Sequence, residues 1–275
     1  MCPKMRSRPR SSCKLFLIDD MSSTFRTHAI VLGSREYREA DRYYSALTAE
    51  HGLLELRARG SRKISSKLAA HLEPFALCDL MVVRGRGGDL VAGVERLELY
   101  PSIRTDITKA LLALESFHLI ETSMRPKQPD GQLFSFVRSW LQFLNQAPEL
   151  TPSRERMLLS AFTTKLLGLT GYRPQLGRCM SCEEGIVPNG FRWHGLRGGV
   201  VCLSCATREP EQWFAAREMS MEALKLVRVS LEYPFASLLD LRLPGEALTE
   251  FHEAVDSLVI AHFPVIPLFT LNRAV

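Results

Sequence analysis

The fold is decided by residues 24–60, TFRTHAIVLGSREYREADRYYSALTAEHGLLELRARG. β-Branched and aromatic residues form three runs, which are separated at Gly33-Ser34 and at His51-Gly52. Glycine beside a small or polar residue favours a change of chain direction, so we predict turns at both places. In the last run, LLELRARG, apolar and charged residues alternate. This period of two predicts a strand with one buried face and one charged face.

Residues 76–100 extend the same pattern with two further apolar runs, ALCDLMVV and DLVAGVERLELY, joined by the glycine-rich stretch RGRGG. This arrangement is typical of a hairpin whose tip carries two exposed arginines. Five short strands in fewer than eighty residues predict either a small barrel or a two-sheet sandwich. The residues leave both architectures open.

After Pro101 the apolar period changes from two to that of a helix. Four later stretches have helical spacing: GQLFSFVRSWLQFLNQ, SRERMLLSAFTTKLLGLTGY, REMSMEALKLVRVSLEY and GEALTEFHEAVDSLVIAHF. We predict an α+β chain of several domains: a disordered extension over residues 1–20, a β domain over 21–101, and an α-helical domain over 102–275 that contains a cysteine module at 177–207. Because a strand follows Met21, the natural start is left open between Met1 and Met21.

The four cysteines of the module follow the pattern C-x2-C-x19-C-x2-C, at Cys179, Cys182, Cys202 and Cys205. A C-x-x-C turn directs two sulfurs to one side, and two such turns complete the tetrahedron that zinc prefers. We predict a zinc-ribbon or treble-clef site. Four thiolates leave no open position for water, so the Zn²⁺ would be structural. His194 could replace one cysteine, although we expect it at the surface of the intervening loop.

Basic residues are concentrated ahead of the acidic C-terminal part of the chain. The net charge is +5, yet residues 206–275 hold six basic and ten acidic side chains. The run RARGSRKISSK, residues 57–67, holds five cations and no acid. Cationic side chains that replace condensed counterions favour a polyanion partner. The candidate nucleic-acid-binding residues are Arg35, Arg38, Arg42, Arg57, Arg59, Arg62, Lys63, Lys67, Arg84 and Arg86.

Other classes of protein receive little support from the sequence. No apolar run approaches the 18–20 residues of a membrane span, and the N-terminal run LFLI is too short for a secretory signal. We therefore expect a cytoplasmic chain with reduced thiols. His71-Leu72-Glu73 matches the H-x-E of zinc deaminases but lies more than a hundred residues before the cysteines. No catalytic triad is legible, so we expect no enzyme.

Several of these motifs together resemble those of the bacterial DNA repair protein RecO family. The resemblance lies in the A-I-V-L strand, E-A-D-R at residues 39–42, L-T-x-E-x-G at 47–52, A-R-G-x-R at 58–62 and L-E-P-F at 72–75, and in the stretches LTGYRPQLGRCMSC and GGVVCLSC. It covers residues 22 to at least 205, whereas the acidic tail matches only in its helical character.

The resemblance implies an N-terminal OB-fold β-barrel, followed by an α-helical domain with a four-cysteine zinc-finger insert. It also implies a nucleoid-associated recombination mediator that binds single- and double-stranded DNA and anneals complementary strands. The implied partners are RecR, the single-strand DNA-binding protein and RecA. Two alternatives stay open at this point. One is a zinc-containing protein–protein adaptor without direct DNA binding, and the other is a zinc enzyme.

Overall fold

The computed structural model describes residues 24–63, 66–242 and 244–263. Strands dominate the first part of the chain: β1 (Thr24–Tyr37), β2 (Asp41–Thr48), β3 (Gly52–Ala58), β4 (Leu77–Val83) and β5 (Asp89–Glu98), with the short helix α1 (Lys67–His71) between β3 and β4. The predicted extension over residues 1–20 and the candidate start at Met21 lie outside the described residues.

The five strands close into a barrel in the order β1-β2-β3-β5-β4, which rules out the two-sheet sandwich. All neighbours are antiparallel except β3 and β5, whose parallel pairing joins Leu56 to Asp89 and Arg57 to Leu90. A five-stranded barrel with this order and a helix between β3 and β4 has the architecture of an OB-fold. The resemblance therefore gave the correct fold class for this half of the chain.

The predicted turn at Gly33-Ser34 is wrong, because β1 continues to Tyr37. The register of β1 against β2 shifts between Val31 and Gly33, which is a β-bulge. Residues 24–30 of β1 pair with β4, and residues 29–37 pair with β2. The bulge bends β1 so that one strand serves both partners, and the chain reverses only at residues 38–40.

The second half of the chain is helical, as predicted. Its helices are α2 (Pro101–Thr105), α3 (Ile107–Ser123), α4 (Gly131–Gln146), α5 (Pro152–Leu169), α6 (Leu203–Arg208), α7 (Met221–Glu232), α8 (Phe235–Leu238) and α9 (Gly245–His262), and the hairpin β6 (Phe191–His194) and β7 (Gly199–Cys202) lies between α5 and α6. Asp106, Asp130, Thr151 and Ser220 cap α3, α4, α5 and α7, since each side chain accepts from a backbone N–H of the first turn.

One hydrophobic cluster fills the barrel, and a second joins the barrel to the helices. The first fills the barrel interior and includes Tyr44, Leu56 and Leu80. The second, larger cluster runs from the outer face of the barrel, at Ile30 and Leu47, into the helices. Since one continuous core crosses the boundary, the barrel is held against the helical part by apolar burial rather than by a flexible linker. In the described part of the chain no helix is long and apolar enough to cross a membrane.

Candidate metal centre and nucleic-acid interface

The four cysteines predicted to bind metal meet in space. Their sulfurs all lie within 4.8 Å of one another, and Sγ of Cys182 is 3.8 Å from Sγ of Cys202. Zinc–sulfur bonds of about 2.3 Å in a tetrahedron separate the sulfurs by about 3.8 Å. Cys179 and Cys205 are buried, whereas Cys182 is exposed. This donor set fits a metal ion that is enclosed by four thiolates.

The backbone around Cys179, the first of the four cysteines, favours its ionised form. Cys179 N–H donates to the carbonyl of Glu184, and Glu183 N–H donates back to the carbonyl of Cys179, which closes a tight knuckle. Burial alone would raise the pKa of the Cys179 thiol, but backbone N–H groups of Cys182, Cys202 and Ser181 outweigh it and lower the pKa to about 6. A thiol that ionises easily is the form that coordinates metal.

The second cysteine pair lies where a strand becomes a helix, not on a second hairpin. Cys202 ends β7, and its sulfur accepts from Cys205 N–H as the N-cap of α6. A knuckle, a hairpin and a helix in this order correspond to the treble clef rather than the ribbon.

The prediction that His194 lies at the surface is wrong. Its side chain is buried, and Nδ1 accepts from Arg197 N–H to cap a short 3₁₀ turn. Burial lowers the pKa of His194, so the neutral ring serves as an acceptor. It is also absent from the group of described residues that could bind the metal.

The cysteine module is anchored to the last helix. Trp193 Nε1 donates to Ser257 Oγ over 3.0 Å, and a Cβ at Gly195 would lie 2.1 Å from the same oxygen. Only glycine therefore lets the hairpin approach α9 this closely. A metal ion held by the four cysteines would cross-link a segment between α5 and α7 that has only a small apolar cluster of its own around them.

Seven of the ten candidate cations surround one end of the barrel, where the β1–β2 turn meets the segment that leaves β3. We call residues 38–41 and 57–63 together the clasp. Arg62 N–H donates to the carbonyl of Ala40, and Arg62 Nη1 donates to the carbonyl of Arg38. These contacts join the two segments into one surface, which contains Arg38, Arg57, Arg59, Arg62 and Lys63, with Arg35 beside it on β1 and Arg42 beside it on β2.

Three of the candidate cations are already paired with acids. Arg35 lies 2.5 Å from Glu55, Arg57 lies 2.6 Å from Asp41, and Arg62 lies 3.3 Å from Glu36. Among the described residues, the other candidates form no ion pair: Arg38, Arg42, Arg59, Lys63, Lys67, Arg84 and Arg86. The structure therefore divides the candidate cations into paired and unpaired residues, a distinction that sequence reasoning could not make.

Guanidinium groups stack on two tyrosines beside the clasp. Tyr37 and Tyr43 meet edge to face with their ring centroids 4.7 Å apart. Arg35 lies 4.5 Å from the centre of the Tyr43 ring, and Arg38 and Arg57 lie 5.1 and 5.2 Å from that of Tyr37. Both tyrosines are half-buried, so part of each ring stays open to a ligand. Such rings beside cations can stack nucleobases.

The structure does not bring Arg84 and Arg86 to this surface. Arg84 lies over Phe25, 4.9 Å from the ring centre, and Phe25 contacts His51 in the β2–β3 turn. The hairpin tip is thus at the Gly52 end of β3, whereas the clasp is at its Ala58 end. A ligand that touched both would have to run along the strand.

A groove borders Tyr43 on the outer face of the barrel. It has a volume of about 410 Å³ and is lined by Arg35, Tyr43, Ser45 and Glu55 from the strands and by Glu121 and Pro126 from the helical half. Sequence reasoning missed its acids and also missed Asp41. No local signal marked Asp41, because Glu36 and Glu39 are acids of the same stretch and only the fold distinguishes the one that binds Arg57.

The fold and the site define a class: an OB-fold barrel with an exposed arginine–tyrosine surface, joined to a helical domain that carries a tetracysteine metal centre. Family models place the chain more closely. The model described as "Recombination protein O N terminal" matches residues 21–100, and "Recombination protein O C terminal" matches residues 104–268. The chain belongs to the RecO family, which acts in DNA repair and recombination.

Curated relatives agree with this assignment. The DNA repair protein RecO of Cutibacterium acnes is 36% identical over 187 residues, which are 66% of this chain and 74% of the relative. Those of Dehalococcoides mccartyi (strain ATCC BAA-2100) and Desulforudis audaxviator are 27% and 29% identical over 231 and 239 residues. These matches cover 84% and 86% of this chain, and 87% and 91% of the relatives.

Proposed function

We propose that this chain is a non-enzymatic recombination mediator that binds single- and double-stranded DNA through the clasp and the adjoining tyrosines. The observation that carries the proposal is the exposed arginine–tyrosine stack, flanked by cations without acidic partners. Cations without partners gain most from phosphate, because no intramolecular ion pair has to be broken first. Half-open tyrosine rings add stacking that suits any base.

Membership of the RecO family supports a wider role. We propose that the chain anneals complementary strands and assists recombinase loading on DNA coated by the single-strand DNA-binding protein. RecR and RecA would be its further partners, and the cytoplasmic nucleoid would be its location. The barrel domain would span residues 21–101 and the helical domain 102–275. The ion held by the four cysteines would be Zn²⁺ in a structural role, because four sulfurs leave no open position for a reacting water.

A salt titration of single-stranded DNA binding tests the proposal. Each phosphate contact contributes about 0.7 to the slope of log K against log salt for a single strand, and hence about fivefold in affinity at 0.1 M salt. Neutralising Arg38, Arg59 and Lys63 together, each to glutamine, should lower the slope by about 2 and the affinity by about 100-fold. Arg57 is left intact because it also binds Asp41.

The matched control removes the same charge elsewhere. Arg173, Lys225 and Arg242 are exposed cations of the helical half, and none is in an ion pair with a described residue. The corresponding triple glutamine variant should keep the slope of the wild type. Equal losses in both variants would show that net charge alone attracts DNA, and an unchanged slope in the first variant would refute the clasp as the interface. Annealing of complementary strands, with and without the single-strand DNA-binding protein, then tests the mediator role.

One observation favours a second candidate, a protein–protein adaptor without direct DNA binding. A groove of about 760 Å³ lies between α4, α5 and α8, with Phe136, Phe143 and Phe235 on its wall. Lys165 lies at the same groove, where burial lowers its pKa to about 8. Apolar grooves with few charges suit protein partners. Partner capture that survives in a chain without DNA affinity would favour this candidate.

A further inference from the structure

Asp41 is an acid at the centre of the basic clasp, and its carboxylate is fully engaged. Oδ2 accepts from Nε and Nη2 of Arg57, over 3.0 and 2.6 Å, and Oδ1 accepts from Gly60 N–H over 2.8 Å. Two of these donors belong to Arg57 near the end of β3 and the third to Gly60 just beyond it, whereas Asp41 begins β2. One side chain therefore ties the β1–β2 turn to the basic segment.

The segment tied in this way carries two of the candidate cations that form no ion pair among the described residues. Arg59 and Lys63 are exposed and flank Gly60, and Lys63 N–H donates to the carbonyl of Gly60. Gly60 has a φ of +66°, a left-handed conformation in which the chain turns sharply. The bond from Asp41 to Gly60 N–H holds this turn, so it also sets where Arg59 and Lys63 project.

Arg57 is held by the same carboxylate rather than being free for phosphate. Its side chain is only 18% exposed, and its guanidinium lies over the ring of Tyr37. Donors from Gly60 and Arg57 lower the pKa of Asp41, so the carboxylate is charged wherever the protein is folded near neutral pH. A charged acid that orders a cationic surface acts differently from one that merely neutralises it.

We propose that Asp41 is a positioning residue of the DNA interface: it orders Arg57 and the Gly60 turn, so that its removal weakens DNA binding although it takes a negative charge from a basic surface. The inference rests on the proposed function of the clasp. Simple electrostatics gives the opposite sign, because the loss of an acid near a polyanion site strengthens attraction. The sign of the effect therefore separates the two roles.

Glu55 supplies the matched comparison. It pairs with Arg35 on the same face of the barrel, but both side chains are about 60% exposed and no backbone turn depends on them. Glu55→Gln removes the same charge as Asp41→Asn and releases Arg35. Surface pairs of this kind contribute little to stability, so this variant should fold as the wild type does.

The experiment titrates single-stranded DNA against wild type, Asp41→Asn and Glu55→Gln at several salt concentrations. We expect Asp41→Asn to weaken binding at least fivefold at 0.1 M salt and to lower the salt slope by at least 0.7, the loss of one phosphate contact. Glu55→Gln should bind as tightly as the wild type or up to about fivefold more tightly. Asp41→Asn that binds as well as the wild type overturns the inference.

Arg57→Gln tests the same tie from its other side and guards against misfolding of the first variant. If Asp41 acts through Arg57, the double variant Asp41→Asn/Arg57→Gln should bind DNA no more weakly than the weaker of the two single variants. Losses of binding free energy that add fully in the double variant would overturn the inference. A wild-type chain that fails to bind DNA would overturn the proposed function, and this inference with it. If the wild type binds DNA and Asp41→Asn binds it with the same affinity, only this inference is overturned and the proposed function stands.

Discussion

Gly52 is the position at which one added methyl group should most directly disturb the packing between the barrel and the helices. It opens β3 with a φ of +69°, and a Cβ built there would lie 2.1 Å from the carbonyl oxygen of Gln128. The backbone of the α3–α4 connection is fixed at this point, since Lys127 N–H donates to the carbonyl of Leu53 over 3.0 Å. Gly52→Ala must therefore displace backbone, not a flexible side chain.

The expected cost has three parts. A left-handed alanine costs about 1–2 kcal/mol. Loss of the bond from Lys127 to Leu53 costs about 1 kcal/mol. Leu53 is only 9% exposed and belongs to the core shared with the helices, so its partial exposure adds about 1 kcal/mol. The total is about 3–4 kcal/mol, and in a chain of this size it lowers the melting temperature by roughly 10 °C.

Alanine variants of two other glycines, compared by thermal unfolding, distinguish the conformational cost from the cost of lost packing. Gly60 also has a positive φ, but the nearest atom to its Cβ would be Lys63 Cδ at 3.8 Å, so Gly60→Ala should show only the conformational cost. Gly33 has no atom within 4 Å of a Cβ and no positive φ, so Gly33→Ala should melt as the wild type does. If Gly52→Ala had the same melting temperature as Gly60→Ala, the close packing of Gln128 on β3 would be refuted.

Three further outcomes follow from the site and the core. Cys179→Ser should lose metal and melt earlier while it still binds single-stranded DNA, and cobalt substituted into the wild type should give a four-sulfur spectrum without an exchangeable water. Tyr43→Ala should weaken single-strand binding by about 1–3 kcal/mol, whereas Tyr43→Phe keeps the ring and the affinity. Burial lowers the pKa of His252 to about 3, so below pH 6.5 the unfolded chain binds a proton that the folded chain does not. The free energy of unfolding of the wild type, relative to that of His252→Gln, should therefore fall by about 2 kcal/mol between pH 7 and pH 5. Denaturant titration at the two pH values measures this difference.

The residue pattern predicted local structure well and long-range closure poorly. Alternation in LLELRARG correctly placed Leu54, Leu56 and Ala58 inside the barrel, because each strand signals its own buried face. Closure depends on the pairing of Leu56 with Asp89, which lie far apart in the chain, and no local signal marks it. Gly33 was misread because a glycine within an apolar run is compatible with either a turn or a bulge.

The candidate site likewise has one part that the sequence predicts and another that depends on the fold. The cysteines could be predicted because their spacing is itself the geometry of the site. The basic residues could be counted but not sorted, because their partners are set by strand register. Arg35 pairs across β2 with Glu55, since Arg35 lies beside Tyr43 and Glu55 lies beside Ser45. Only the folded sheet brings these two side chains together.

The metal centre and the candidate DNA surface should therefore depend on different interactions. The cysteines lie in a small apolar cluster of their own, and Trp193 ties their hairpin to α9. The clasp is held by Asp41 and by the backbone of β1 to β3. Within residues 24–63, 66–242 and 244–263, no hydrogen bond or ion pair joins the metal centre directly to the clasp. Loss of DNA affinity on metal removal would thus indicate that the helical half, rather than the barrel alone, contacts DNA.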